Sequence, residues 1–328
     1  MPNLNKLREE KLKANKLQEK LNSSPLHKKN KHKGSYDFPK LIKSHPALKE
    51  FCIINQYGTE TIKFSDAKAV KTLNTALLKH FYNIEFWDIP AGYLCPPIPG
   101  RVDYIHYLAD LLAQDNTQTV PHGRHIKVLD IGTGASLVYP LTGQSEYGWS
   151  FTGTDIDADA LKSAQKICEI NNLNIDLRRQ DKPENIFRGV IKPSDAFHLT
   201  MCNPPFHSSL EKASKGTQRK WANLGKGQSS KLNFGGQNAE LWCPGGEVKF
   251  IANMIKQSVE VADQCMWFTS LVSKKDTLSP LQRVLSKARV VDLKIVEMAQ
   301  GQKVSRFIAW TFMKRKQRTA FSAKFSPK

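Results

Sequence analysis

From about residue 126 onward, short apolar segments alternate with amphipathic segments of helical period. Strands that alternate with helices in this way form a parallel sheet, because each helix carries the chain back across one face of the sheet. Repeated units with a late strand pair predict a Rossmann-like, doubly wound α/β fold, namely a seven-stranded, mostly parallel sheet with helices on both faces. The predicted strands are 126–131, 150–154, 175–179, 197–202, 266–272, 290–296 and 307–313, with helices at 157–171, 248–261 and 278–288.

The residues before this domain have a different pattern. Residues 66–79 predict an amphipathic helix with Asp66 as its N-cap, and residues 102–112 predict a second helix after the rigid stretch 95–100. The first residues have almost no apolar content, which is typical of a disordered arm. The predicted division is a basic flexible arm at 1–35, a helical N-terminal subdomain at 36–120, an α/β domain at 121–313 with a basic insertion at 207–246, and a basic C-terminal tail at 314–328.

Positive charge is concentrated in three of these segments. The formal net charge of the 328 residues is +19, of which the arm carries +7, the insertion +4 and the tail +6. Basic arms bind phosphate backbones through salt-dependent counterion release, although lysine-rich tails can also serve only solubility. The first interpretation predicts a nucleic-acid partner, with phosphate contacts from Lys28, Lys29, Lys31 and Lys33 in the arm and from Arg219 and Lys220 in the insertion.

Other features limit the class of protein. No apolar run approaches the roughly 20 residues that a membrane span needs, and the first residues lack the apolar segment of a signal peptide. We therefore expect a soluble, cytoplasmic protein that does not bind membranes. The six cysteines form no Cys-x-x-Cys pair and have no close histidine partner, so we expect reduced thiols and no metal site.

The first predicted strand of the α/β domain ends in Asp130 and runs into a turn that contains Gly132 and Gly134. Glycine allows a tight strand-to-loop turn and lets a ligand approach the backbone closely. Leu137 occupies the position of the third glycine of a dinucleotide fingerprint. A nucleoside without a pyrophosphate therefore fits this turn better than a dinucleotide.

A second acidic residue, Asp155, ends the next strand. Its carboxylate can accept hydrogen bonds from both hydroxyl groups of a ribose. Asp157 is better suited to be the N-cap of the helix that follows. Gln180 and Asp181, after the third strand, are candidates for contact with the adenine of a cofactor, with a solvent-exposed turn as the alternative.

The fourth predicted strand ends in Asn203-Pro204-Pro205-Phe206. Two prolines hold φ at about −65° and remove two backbone donors, so the Asn203 side-chain oxygen and nearby main-chain carbonyls can converge on one amino group. Phe206 can then cover the face of a flat ring. Taken alone, the tetrapeptide is more typical of a simple strand-to-loop turn.

The order of the glycine turn, the ribose acid and Asn-Pro-Pro-Phe resembles the class I S-adenosylmethionine-dependent methyltransferases. In that superfamily this type of tetrapeptide marks enzymes that methylate planar amines of adenine, of guanine in ribosomal RNA, or of a glutamine side chain. The resemblance implies S-adenosyl-L-methionine as the cofactor. It also implies catalytic roles for Asn203, Pro204, Pro205 and Phe206 and cofactor contacts from Asp130, Gly132, Gly134, Asp155 and Gln180.

Further segments resemble a narrower family, the bacterial 23S ribosomal RNA (adenine(1618)-N(6))-methyltransferases, which are similar to U6 small nuclear RNA adenine-N6 methyltransferases. These segments are 36–38, 86–90, 92–101, 232–237 and 240–246. The resemblance implies methylation of one adenine in 23S ribosomal RNA, with that RNA or a large-subunit assembly intermediate as the partner. Methylation of guanine N2 in ribosomal RNA is the nearest alternative, and methylation of a protein glutamine is a further one.

Three more residues have open roles. Arg101 follows a Pro-Gly corner at a helix start, where its guanidinium can pair with the methionine carboxylate of the cofactor, with Asp103, or with phosphate. Phe234 and Trp242 lie among glycines in the basic insertion and suit aromatic platforms for RNA, although Trp242 can equally pack into the core. The insertion is long for a structureless loop, and we expect it to order on RNA.

Overall fold

The computed structural model describes residues 26–206, 240, 242–300 and 303–325. In these residues the strands are β1 (Cys52–Ile54), β2 (Glu60–Ile62), β3 (Lys127–Ile131), β4 (Ser150–Asp155), β5 (Asp176–Arg179), β6 (Phe197–Cys202), β7 (Cys265–Val272), β8 (Asp292–Gln300) and β9 (Lys303–Thr311). The α-helices are α1 (Phe38–Ser44), α2 (Ala67–Tyr82), α3 (Ile98–Ala113), α4 (Val138–Tyr147), α5 (Ala158–Ile170), α6 (Gly246–Ser258), α7 (Leu278–Lys287) and α8 (Arg315–Phe325). Short 3-10 helices cover Pro46–Phe51, Val259–Val261 and Lys275–Thr277.

The predicted seven-stranded, doubly wound sheet is confirmed. Its strand order is β5-β4-β3-β6-β7-β9-β8. The first five strands in this order pair in parallel, and β9 pairs antiparallel with both β7 and β8. Successive side chains of a strand point to opposite faces. Accordingly, Val128 packs in one hydrophobic cluster with residues of α2 to α5, whereas Leu129 packs in another with residues of α6 and α7. Both faces of the sheet are therefore covered.

The register of the three central strands brings their carboxyl ends to one level. Ile131, the last residue of β3, lies opposite Thr154 of β4 on one side and Cys202 of β6 on the other. The strand order reverses between β3 and β6, and ligands of open α/β sheets bind at such a switch point. The glycine turn after β3, Asp155 and Asn203 consequently meet at one edge of the sheet.

The N-terminal region, predicted as a helical subdomain at 36–120, contains a strand pair as well as helices. It contains the antiparallel hairpin β1–β2, and its helices α2 and α3 share one hydrophobic cluster with the sheet. The predicted N-cap is confirmed, because the Asp66 carboxylate accepts hydrogen bonds from the backbone N–H groups of Lys68 (2.8 Å) and Ala69 (3.3 Å). Helix α3 begins at Ile98 rather than at residue 102, since proline is tolerated in a first helical turn.

The N-terminal arm, predicted as flexible, and the predicted C-terminal tail both contain folded residues within the ranges that the structure describes. In the arm, residues 26–35 pack against α3, with His27, Asn30 and His32 buried. In the tail, helix α8 buries Arg318, which pairs with Asp115 at 2.8 Å and lies 4.7 Å from the centroid of the Trp267 ring. Part of the excess positive charge therefore stabilises the fold rather than facing a partner.

Helix α4 was not predicted, because Pro140 and Gly143 lower the helix propensity of its sequence. Gly143 allows α4 to approach β4, since a Cβ at this position would lie 2.4 Å from the ring of Phe151. Of the last two strands, β8 begins and ends later than predicted and β9 begins and ends earlier, and Gln300 of β8 pairs with Lys303 of β9. None of the helices in the described ranges is long and apolar enough to cross a membrane.

Candidate active site

The turn after β3 is held tightly against the end of β4. Gly132 and Gly134 have φ angles of 72° and 67°, in the left-handed region that favours glycine. The backbone N–H groups of Gly132 and Thr133 both donate to the carbonyl oxygen of Thr154, each at 2.9 Å. These contacts fix the turn beside Asp155, so the two predicted cofactor elements adjoin.

Asp155 connects the glycine turn to the start of α5. One carboxylate oxygen accepts from the backbone N–H of Gly134 at 2.9 Å, and the other accepts from that of Asp157 at 3.0 Å. Burial raises the pKa of Asp155, and these backbone hydrogen bonds act in the opposite direction. Asp157 is the N-cap of α5, as predicted, and also accepts a 2.7 Å hydrogen bond from the hydroxyl of Tyr93, a residue not singled out from the sequence.

Asp130 carries a buried carboxylate near the end of β3, at the same edge of the sheet as Asp155. It is 0% exposed, and neither of its side-chain oxygens has a hydrogen-bond partner within the described residues. Burial raises the pKa of Asp130 to about 7, partly offset by the nearby Thr133 hydroxyl and the positive charge of Arg101. A buried carboxylate of this kind is stabilised by a cationic partner.

Arg101 lies on the same side of the sheet. From the first turn of α3 its guanidinium donates to the hydroxyl of Tyr139 at 2.8 Å, and its charge acts on both Asp130 and Tyr139. The Asp103 carboxylate instead accepts from the backbone N–H of His27 at 2.7 Å and from the side-chain amide of Asn30 at 2.9 Å. Pairing of Arg101 with Asp103, one of the three predicted alternatives, is therefore not supported by this geometry.

Gln180 stands at the predicted strand end, but its side chain is used locally. Its amide nitrogen donates to the carbonyl oxygen of Arg188 at 2.8 Å, and its amide oxygen accepts from the backbone N–H of Lys182 at 3.1 Å. Both polar ends thus hold the loop after β5. The predicted contact between the Gln180 side chain and a cofactor adenine is not supported by this geometry, and Asp181 is exposed and pairs with Arg179 at 3.4 Å.

The tetrapeptide that follows β6 begins next to the glycine turn. The side-chain oxygen of Asn203 is buried and has no hydrogen-bond partner among the described residues. Pro204 is buried, Pro205 is half-buried, and Phe206 is 39% exposed. An unpaired acceptor followed three residues later by an accessible aromatic ring suits a flat molecule with an exocyclic amino group.

Most of the basic insertion, including Arg219, Lys220 and Phe234, lies outside the described residues. Its last part returns to the same edge of the sheet. The Glu240 carboxylate accepts from the backbone N–H of Leu94 at 3.1 Å, and a Cβ added to Gly134 would lie 3.7 Å from it. The indole N–H of Trp242 is buried without a hydrogen-bond partner in the part of the chain described. Sequence reasoning did not single out Glu240, although it lies in a segment that carries the family resemblance.

Comparison with protein families gives a match to an RNA methyltransferase model over residues 20–314. The chain belongs to the RNA methyltransferase family. The predicted family and enzyme class are thereby confirmed. The enzyme is also 62% identical over 293 residues to the ribosomal RNA large subunit methyltransferase F of Pseudoalteromonas translucida (strain TAC 125), covering 89% of this chain and 94% of the relative. A protein of the same name from Pseudomonas savastanoi pv. phaseolicola is 53% identical over 300 residues, covering 90% and 92% of the two chains.

Solved structures support the same fold. The enzyme resembles the human METTL16 catalytic domain in complex with MAT2A 3′UTR hairpin 1, with a TM-score of 0.76 and 30% identity, covering 89% of this chain and 96% of that one. It also resembles the N-terminal domain of human METTL16 in complex with SAH, with a TM-score of 0.69 and 27% identity, covering 88% and 99%. S-adenosyl-L-methionine is the cofactor of the enzyme, as predicted.

The residues at the strand ends fit this cofactor. The buried, unpaired carboxylate of Asp130 suits its positively charged groups. No group of three or more His, Cys, Asp or Glu side chains within the described residues is placed to hold a metal ion.

The raised pKa of Asp130 predicts a pH-dependent stability. Between pH 3.8, its ordinary pKa, and about 7, the native state keeps a proton that the unfolded state has lost. The contribution of Asp130 to the free energy of unfolding of the cofactor-free enzyme should therefore fall as the pH rises through this range. Urea unfolding of the wild type and of Asp130→Asn at several pH values measures this contribution. The variant cannot ionise at this position, so equal pH slopes for the two proteins would contradict the assignment.

Proposed function

We propose that the enzyme methylates the exocyclic N6 amine of an adenine in 23S ribosomal RNA, with S-adenosyl-L-methionine as the methyl donor. The observation that carries the proposal is the buried, unpaired side-chain oxygen of Asn203 beside the cofactor turn, with the accessible ring of Phe206 nearby. The names of the bacterial relatives support ribosomal RNA of the large subunit as the substrate. Because that RNA is made in the bacterial cytoplasm, we place the enzyme there.

Asn203 and Pro204 would hold the target amine. The lone pair of an adenine N6 is delocalised into the ring, so the amine is a weak nucleophile until its geometry changes. The Asn203 side-chain oxygen and the Pro204 carbonyl oxygen can accept its two N–H groups and favour a more tetrahedral nitrogen. Bound S-adenosyl-L-methionine supplies an electrophilic methyl group. The nitrogen–methyl bond forms as the sulfur–methyl bond breaks, and the amine proton then leaves to water, so no strong base is needed.

Phe206 would stack on the target base. Stacking of a base on an aromatic side chain contributes roughly 1–3 kcal/mol. An adenine in a loop is cheaper to present to this ring than a paired one, because pairing must be broken before the base can leave the helix. This difference favours an unpaired adenine as the target.

Cofactor contacts are proposed for the glycine turn, Asp130, Asp155 and Arg101. The Asp155 carboxylate is at the strand end where ribose hydroxyl groups bind in related sheets. Arg101 is directed toward Asp130 and Tyr139 rather than toward Asp103, which supports pairing of its guanidinium with the methionine carboxylate. The polar groups of the methionine moiety would then be held by residues of opposite charge.

The proposal is tested by methylation of unmodified large-subunit ribosomal RNA with purified enzyme, followed by digestion to nucleosides and mass spectrometry. N6-methyladenosine is the expected product, and its absence from ribosomal RNA of a strain that lacks the protein is the expected result in cells. N2-methylguanosine as the product would establish the guanine alternative instead. Methylation of protein but not of RNA would contradict both.

The exposed lysines of the folded arm are expected to contribute salt-dependent RNA binding. Lys28, Lys29 and Lys31 are exposed and Lys33 is half-buried, while Lys31 also pairs with Glu146 at 2.8 Å. Replacing both Lys28 and Lys29 with alanine should weaken RNA binding and lower the slope of log affinity against log salt by about one for each lost phosphate contact. Lys287→Ala, an exposed lysine on α7, is the matched control. A salt slope unchanged from that of the control would show that these lysines do not contact phosphate.

A further inference from the structure

Residues 27–32 of the arm present two kinds of side chain to opposite sides. His27, Asn30 and His32 are buried, whereas Lys28, Lys29 and Lys31 are exposed. The buried set is polar, so this segment is attached through hydrogen bonds rather than through an apolar stripe. Its apolar content alone would not predict attachment.

His27 lies along one face of α3. The backbone N–H of His27 donates to Asp103 at 2.7 Å, its ring stacks on that of His106 with centroids 5.3 Å apart, and its Nε2 lies 2.9 Å from a carboxylate oxygen of Asp110. Residues three and four apart lie on the same helical face, which is the spacing of these three partners. The segment is therefore aligned along α3 in one register.

Asn30 acts on the first turn of this helix. Its amide nitrogen, in a side chain that is 3% exposed, lies 2.9 Å from both the carbonyl oxygen of Pro99 and the carboxylate of Asp103. Arg101 lies between these two partners in the sequence and reaches Tyr139 from the same turn. Pro97, at the N-cap position, makes no side-chain capping hydrogen bond. Asn30 therefore supplies a side-chain hydrogen bond to this turn that the N-cap residue does not.

We propose that Asn30 is a positioning residue for Arg101, through which the basic arm controls the affinity of the enzyme for the amino-acid part of its cofactor. The inference rests on the assignment of Arg101 to the methionine carboxylate in the proposed function. Removing the two hydrogen bonds of Asn30 frees the first turn of α3 and disperses the orientations of the Arg101 guanidinium.

The test measures binding by isothermal titration calorimetry on the full chain without RNA. S-adenosylhomocysteine carries the amino-acid moiety, and 5′-methylthioadenosine lacks it. Asn30→Ala should weaken the binding of S-adenosylhomocysteine by about tenfold. Its affinity for 5′-methylthioadenosine should stay within about twofold of that of the wild type. Asn30→Asp keeps the acceptor for the backbone N–H of His32 but loses both donors and places a second carboxylate beside that of Asp103, so it should weaken S-adenosylhomocysteine binding at least as much as Asn30→Ala. Lys287→Ala, an exposed lysine on α7, is the control and should change neither affinity.

A double variant tests whether the effect of Asn30 on cofactor affinity depends on Arg101. Combining Asn30→Ala with Arg101→Ala should weaken S-adenosylhomocysteine no further than Arg101→Ala alone, because both changes remove the same interaction. Equal losses for both ligands, additive losses in the double variant, or unchanged binding in Asn30→Ala would each overturn the inference. Because the ratio of the two affinities is taken within one variant, a partly unfolded sample does not imitate the expected result. The absence of RNA separates this outcome from a failure of the proposed substrate.

Discussion

Asn203→Ala is expected to lower the rate of methyl transfer at least about 10²- to 10³-fold, while the affinity for S-adenosylhomocysteine stays within about twofold of the wild type. The physical reason is that the Asn203 side-chain oxygen is a buried acceptor with no partner in the described residues, so it is available to the target amine alone. Its removal leaves the amine planar and poorly aligned. Single-turnover transfer of a labelled methyl group to RNA measures the rate, and calorimetry measures the cofactor affinity.

A conservative variant separates the chemistry of Asn203 from its packing. Asn203→Asp keeps the shape of the side chain and an acceptor oxygen, so it should retain more activity than Asn203→Ala. Full activity in Asn203→Ala would remove this residue from the mechanism. A large loss of cofactor affinity in that variant would instead assign Asn203 to the cofactor side of the site.

The fold was predictable from the sequence, and so was the convergence of the site residues at one edge of the sheet, because both depend on periodic features of the sequence. Apolar strands that alternate with helices determine a parallel sheet, and in a parallel sheet the residues that follow neighbouring strands meet at one edge. Asp130 is the penultimate residue of β3, Asp155 is the last residue of β4 and Asn203 directly follows β6, so their sequence positions were enough to bring them together. The N-cap roles of Asp66 and Asp157 were predictable for a similar reason, since capping is local.

Features that depend on polar contacts across long sequence distances were not predictable. Residues 26–35 contain little apolar surface, and their attachment uses buried hydrogen bonds to Asp103, 73 residues from Asn30. Arg318 adds to the net charge of the tail, yet it is buried against Asp115 from another part of the chain. A count of charges cannot distinguish such a buried ion pair from a lysine that faces RNA.

Gln180 shows the limit of reasoning from strand ends alone. It occupies the expected position after β5, and its backbone N–H donates to the carbonyl oxygen of Asp155 at 2.8 Å. Its side chain nevertheless turns to the loop that follows, because two backbone groups there, at Lys182 and Arg188, satisfy its amide. The position of Gln180 at the end of β5 was enough to predict that it lies near Asp155. The contacts of its side chain are instead determined by local hydrogen bonds to the loop.

Asp155→Ala is expected to weaken binding of S-adenosylhomocysteine by about 100-fold or more. A carboxylate that accepts two ribose hydroxyl groups makes two hydrogen bonds to a charged acceptor, and each contributes roughly 1.5–3 kcal/mol. The same carboxylate accepts from the backbone N–H of Gly134, so its removal also loosens the glycine turn. Calorimetric titration with S-adenosylhomocysteine measures the loss, and RNA binding without cofactor should change little.

Asp157→Ala is the comparison that decides between the two adjacent carboxylates. Asp157 accepts from the backbone N–H groups of Asp159 and Ala160 as the N-cap of α5, and from the hydroxyl of Tyr93. Its removal should lower the free energy of unfolding by about 0.5–2 kcal/mol, the usual effect of losing a helix cap, with a smaller loss of cofactor affinity than in Asp155→Ala. If Asp157→Ala lost the cofactor and Asp155→Ala kept it, the ribose would have to be assigned to Asp157, and the backbone hydrogen bonds of Asp155 would then be purely structural.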